Sequence, residues 1–135
     1  MQFPDVPEEF LRDFMRGCWD GDGSIGLQNQ GTDLVATFTT GSFDFITGMR
    51  ERLSPYGFGR LTIHTQQPDG VTTKNPAYRM KILSQHAVAF CHFLYDEVPS
   101  SLFLMRKFLI YDSWRQEANR IQDINMSLWA KYHRA

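Results

Sequence analysis

The sequence predicts an α+β domain: one four-stranded antiparallel sheet with helices on its apolar face and a C-terminal helical tail. Three observations predict it. Two pairs of short runs alternate apolar and polar residues, 24–30 with 33–40 and 59–66 with 77–83. Segments of helical spacing precede the first pair, separate the pairs and follow the second. Turn signals fall at the joints: Asp-Gly-Asp-Gly at 20–23, Pro55 with Gly57, and Pro-Asp-Gly at 68–70.

The first helix, 6–21, opens with Asp5 and Glu8 spaced as a capping box and Pro7 where a missing N–H costs little. Phe10, Phe14, Cys18 and Gly21 recur at helical spacing, with Leu11 and Met15 beside them, and Gly17 shares a face with Gly21. A hairpin follows, with Ile25 and Leu27, then Leu34, Ala36 and Phe38, on the apolar side and Gly31 in the turn. Ser42 caps a second helix, 42–54, whose Phe45, Ile46, Met49 and Leu53 point inward. The second hairpin turns Leu61 and Ile63, then Tyr78, Met80 and Ile82, toward the core across a long polar connection, 67–76. Ser84 caps a third helix, 84–95, and helical pattern resumes from 100 to the end with a break near Asp112 and Ser113. Residues 1–135 therefore read as a single αββαββα domain: a motif helix at 6–23, sheet and helices at 24–95, and a helical region at 99–135.

Composition narrows the class. At 135 residues, 42% apolar and 14% aromatic, the chain suits one domain with a core of its own. Charged residues at 21% speak against disorder. No apolar run approaches the roughly 18–20 residues of a membrane span, and the acidic start is unlike a signal peptide. Cys18 and Cys91 form no CxxC and no zinc spacing, which points to a reducing compartment. The net charge of −1 hides an uneven distribution. Asp5, Glu8, Glu9, Asp13, Asp20 and Asp22 outweigh Arg12 and Arg16 at the start, whereas Arg60, Lys74, Arg79 and Lys81 face only Asp69 across 57–92. Footprints follow the local field, not the sum.

The polar face of the sheet is the informative one. It carries Ser24, Gln28, Gln30, Thr37, Thr39, Arg60, Thr62, His64, Gln66, Arg79 and Lys81, with Asp33 its one acid. Those side chains suit base edges and phosphates: Arg to guanine, Gln to adenine, Lys to phosphate.

Met15 to Gly23 reads MRGCWDGDG and resembles the LAGLIDADG motif of homing endonucleases, with Gly17, Asp20, Asp22 and Gly23 at matching positions. The element order, the Thr-Gly-Ser before the second helix and the stretch from Leu94 to Lys107 are similar to the same family, so the likeness spans most of the chain. It implies a saddle-shaped sheet. One motif copy implies a homodimer paired through Phe10, Phe14, Gly17, Cys18 and Gly21. The partner implied is double-stranded DNA at a long, roughly palindromic site, cut on both strands across the minor groove, with no membrane and no small-molecule cofactor. The resemblance also implies Mg²⁺, with Mn²⁺ substituting and Ca²⁺ binding without supporting cleavage. It assigns Asp22 and Gly21 to the metal and adds Asp20, Ser42, Arg106 and Lys107 to the catalytic set. Met105 stands where the family commonly has Lys, so Arg106 and Lys107 are the basic candidates. The implied location is one with access to DNA: bacterial cytoplasm, a phage-infected cell or an organelle matrix.

Physical reasoning supports the motif separately. Glycine inside a helix costs about 1 kcal/mol relative to Ala, which makes sense where a partner helix packs closely. A two-fold axis there would bring both Asp22 carboxylates together, an arrangement that divalent cations relieve. A calcium loop counted from Asp20 fails, because Ile25 falls where it needs Gly and Gly31 where it needs Glu. Ser42 also reads as a plain helix cap, and Phe103, Met105 and Phe108 read as core. His86, His92 and His133 read as structural or surface residues. Two rivals remain: a nucleic-acid-binding relative that no longer cuts, such as a splicing helper or regulator, and a protein–protein adaptor.

Overall fold

Alternation becomes strand over the full predicted length at 33–40 and 77–83, because these two strands lie in the middle of the sheet and each is paired on both edges. The structure is a computed structural model that describes residues 1–71, 74–99 and 105–132, with side chains of the last helix described as far as Arg120. The elements run α1 (Glu8–Gly21), β1 (Gly23–Gln28), β2 (Asp33–Thr40), α2 (Phe43–Leu53), a 3-10 turn (Ser54–Tyr56), β3 (Ile63–Gln66), β4 (Ala77–Leu83), α3 (Ser84–Tyr95) and α4 (Met105–Tyr132). The sheet is antiparallel throughout, in the order β1-β2-β4-β3.

Period-two burial decides which side faces the helices. Ile25, Leu34, Ala36, Phe38, Met80 and Ile82 are buried and join Ile46, Met49 and Leu53 of α2 and Ala87, Phe90, Cys91 and Leu94 of α3 in one core. In α1, Leu11, Met15 and Trp19 recur every four residues and point inward. The Trp19 ring lies 4.5 Å from that of Phe90 and 5.3 Å from that of Phe38. Ser42 caps α2 as predicted, its Oγ accepting from the Phe45 N–H, and Gly57 ends the 3-10 turn in the left-handed region.

Several expectations need correction. The N-cap of α1 is Pro7, without a side-chain bond, and the helix begins at Glu8. The Glu8 carboxylate accepts instead from Tyr56 and Arg52, so the proposed capping box is spent on a tertiary contact. Strand β1 ends at Gln28, because Asn29 and Gln30 take positive φ to make the turn. Leu27 is 48% exposed although it lies on the apolar side. Strand β3 starts only at Ile63, since Leu61 has φ 55 and interrupts extension. Ser84 makes no cap: Leu83 is the N-cap of α3, with no side-chain bond. Helix α4 runs unbroken through Asp112 and Ser113, because Asp112 accepts from Arg115 and Gln116 one turn on. Met105 is exposed, not core, while Phe108 packs against the core as expected. Phe103, His133 and the predicted helical pattern at 100–104 and 133–135 lie outside the described residues.

The first seven residues also hold structure that no pattern signalled. Phe3 sits between Phe14 and Phe45, with ring centroids 5.2 Å from each. A Cβ on Gly48 would come within 2.4 Å of the Phe3 Cβ, so that glycine makes room for the segment. Among the described residues no helix is long and apolar enough to cross a membrane.

Candidate functional site

Two faces of α1 have separate jobs. Inward lie Leu11, Met15 and Trp19; outward lie Phe10, Gly17 and Gly21, all exposed, with Phe14 and Cys18 half-buried beside them. A Cβ built on Gly17 or Gly21 would meet nothing within 4 Å, so neither glycine is required by packing within the chain. Gly23 is the opposite case. Its Cβ would lie 2.6 Å from the Trp19 ring and 2.8 Å from the Trp19 Cα, so only glycine lets β1 leave the helix at that angle.

Asp22 is the C-cap of α1, and its N–H bonds the Cys18 carbonyl. Its carboxylate is exposed and joins no ion pair among the described residues. Burial, with the nearby Asp22 charge, raises the Cys18 thiol to about 11. Asp20 is half-buried, and its Oδ1 has no hydrogen-bond partner among the described residues.

Lys107 is drawn to the same place. It is buried, and its ammonium donates to the carbonyls of Trp19 and Asp20, the latter at 3.1 Å. A cation on the last carbonyls satisfies orphan acceptors and complements the helix dipole. Burial, then the neighbouring Arg106 charge, lowers its pKa, while the charges of Asp20 and Asp22 act the other way. Arg106 is exposed. The Gly21 carbonyl, next in the series, is not among the Lys107 acceptors. One chain thus brings the exposed Asp22 carboxylate, the half-buried Asp20 carboxylate and the Gly21 main-chain carbonyl, all hard oxygen donors, to the end of α1. Among the described residues no group of three or more His, Cys, Asp or Glu gathers as a metal cage, here or elsewhere. That donor set suits a cation which keeps waters and takes phosphate oxygens, and it needs donors from outside the chain to be complete.

Sheet register sorts the polar residues. Ser24 pairs with Thr37, and Thr37 with Lys81; Thr39 pairs with Arg79, and Arg79 with His64. Those residues, with Gln28 and Gln66, share the face away from the core. The row of Thr39, Arg79 and His64 lies toward the end where β1 starts, next to Asp22, while Asp33 pairs with Gln28 at the far end. Gln30 is not on this face. It lies in the turn, beside Trp114 of α4, whose Nε1 donates to the Thr32 carbonyl. Arg60 and Thr62 precede β3 and line a pocket with His64 and Lys81.

Ser42 is fully engaged locally, accepting from the Phe45 N–H and donating to the Met1 carbonyl at 2.6 Å. His92 contacts the Asp96 carboxylate and the Tyr111 hydroxyl. The sequence reading missed two cationic clamps on α3: Arg12 donates to the Phe93 carbonyl and Arg16 to that of Leu94 at 3.0 Å. Arg16 at helical spacing from Arg12 was the available signal, but burial of a charge is not visible in a pattern. No protein-family model, no curated protein and no solved structure matches the chain.

Proposed function

We propose that the chain is a homodimeric, site-specific DNA endonuclease of the LAGLIDADG type. One observation carries the reading: a helix face opened by Gly17 and Gly21 runs to the exposed carboxylate of Asp22, beside a strand face bearing Arg79, His64 and Lys81. Two copies paired through Phe10, Phe14, Gly17, Cys18 and Gly21 would bring two Asp22 carboxylates together at the axis. Lys107 forms no ion pair with either carboxylate: its hydrogen bonds go to carbonyls, and its charge offsets such a pair only from a distance. Asp22 and the Gly21 carbonyl of each copy would hold Mg²⁺ or Mn²⁺, completed by phosphate oxygens. When bound, the cation supplies charge neutralisation and activation of water for in-line attack at phosphorus. Arg106, exposed at the start of α4 and in no ion pair among the described residues, would meet the phosphate's developing charge. Ser24, Gln28, Thr37, Thr39, Gln66, Arg79 and Lys81 would read the duplex, and bases beyond their reach would be selected by bendability.

The test starts with selection of bound duplexes from a random library in Ca²⁺, followed by incubation in Mg²⁺. A long near-palindrome should be enriched and then cut on both strands. Asp22→Asn should abolish cutting and keep binding; a mutant as active as the parent overturns the reading.

A non-cutting nucleic-acid-binding relative is favoured by one observation, the commitment of Lys107 to the end of α1 with Met105 as its exposed neighbour. It predicts enrichment of a sequence with no Mg²⁺-dependent cleavage by the parent chain. An adaptor would show no steep fall of affinity for duplex with salt.

A further inference from the structure

A concave feature lies at the β3 border of the sheet, on the polar face. A pocket of about 370 Å³ opens where the chain entering β3 meets the junction of β4 and α3. Phe58 and Leu61, both buried, form its floor. Arg60, His64, Lys81 and His86 bring four basic side chains to its walls, from the approach to β3, from β3, from β4 and from the first turn of α3.

Backbone conformation explains the convergence. Gly59 at φ 94 and Leu61 at φ 55 fold the chain back just ahead of β3. A Cβ on Gly59 would meet the His86 ring at 3.1 Å, so glycine lets that imidazole lie against the backbone. Among the described residues no carboxylate lines the pocket, and no ion pair engages any of the four basic groups. Of the four groups, Arg60 and Lys81 carry fixed charge, and around a concave, apolar-floored space they focus positive potential on its interior. The two, a planar Arg fork and a Lys point charge, are the usual pair for phosphate oxygens.

We infer that this pocket binds a phosphate group, with Arg60 and Lys81 as its principal donors and His86 as a contact that strand alternation does not reveal. The ligand is a backbone phosphate of a duplex lying across the sheet or the phosphate of a free small molecule. The pocket chemistry is common to both.

The experiment is an amide NMR titration of the full chain with inorganic phosphate. Saturable shifts should cluster at Gly59, Arg60, Lys81 and His86. Arg60→Gln/Lys81→Gln should weaken them by about tenfold or more with the rest of the spectrum unchanged, and Lys74→Gln should not. Should the double variant lose its fold, Arg60→Lys must retain more binding than Arg60→Gln. Absent shifts, shifts spread evenly over other cations such as Arg120, or full binding by the double variant overturn the inference. Addition of a mixed-sequence duplex then identifies the source. Displacement of phosphate assigns the pocket to the nucleic-acid backbone. Phosphate binding that persists, with no duplex bound, assigns a free phosphate ligand and counts against the endonuclease reading alone.

Discussion

Gly23 and Gly17 lie six residues apart in one motif and answer opposite demands. Gly23 is held by contact inside the chain, with Trp19 within 2.6 Å of where a Cβ would stand. Gly23→Ala should therefore cost about 1–3 kcal/mol, read as a lower denaturation midpoint. Gly17 has open space around it, and Gly17→Ala should raise the stability of the isolated chain by about 0.5–1 kcal/mol while weakening self-association in sedimentation. A Gly17→Ala variant that associates as the parent does, or a parent that does not associate, would remove α1 from the proposed dimer interface. The motif made both glycines visible in the sequence, but not which was structural. Lys107 was visible as a basic candidate for the catalytic set, at the end of the family-like stretch from Leu94. Its burial against the Trp19 carbonyl depends on a contact 88 residues away in sequence, which no local pattern encodes.

At the level of elements, pattern and structure agree where burial is two-sided or strictly periodic. Strands β2 and β4 match their predicted ends, since each alternates between a core and a polar face along its whole length. Disagreements arise at the edges. Strand β3 is shortened by the turn at Leu61, and β1 gives up Gln30 to its hairpin, because edge strands have fewer partners to hold a strained residue extended. Caps split in the same way. Ser42 and Ser84 have equal sequence credentials, but only Ser42 reaches an N–H. Ser42→Ala should cost about 1 kcal/mol in chemical denaturation, measured against the parent chain. No loss would mean that the start of α2 is held by Phe3 and the N-terminal segment alone.

The whole molecule should weaken in alkali. Burial raises the Cys18 thiol to about 11 and that of Cys91 to about 12 from an ordinary 9.0, and lifts Tyr111 to about 12. Tyr95 is raised as well, by burial first. The unfolded chain releases these protons at lower pH than the folded one. It then binds fewer protons above about pH 9, and stability falls as pH climbs. Lys107 acts with the opposite sign: its pKa is lowered by burial, so its own contribution improves as pH rises. Tyr56 is raised too, first by its hydrogen bond to Glu8. With two thiols and three phenols against one amine, the denaturation midpoint should decline steadily from pH 9 to 11. A flat profile contradicts this, and Cys91→Ala should flatten part of the slope. The architecture itself, α+β with helices against one side of an antiparallel sheet, was legible because the buried apolar positions of the helices and strands fall on matching periods. The packing of the first seven residues was not, since Phe3 lies outside any periodic segment.

The two borders of the sheet also bear on how the protein behaves when concentrated. Trp114 of α4 clasps the Thr32 carbonyl beside β1, and α4 packs along that strand. The other border, β3, is four residues long, polar at His64, Thr65 and Gln66, and bent away just before it begins. Neither border offers the long flat ladder on which foreign strands polymerise. Crowding should therefore favour the closed pair proposed through α1, which saturates at two, over fibrils, which do not.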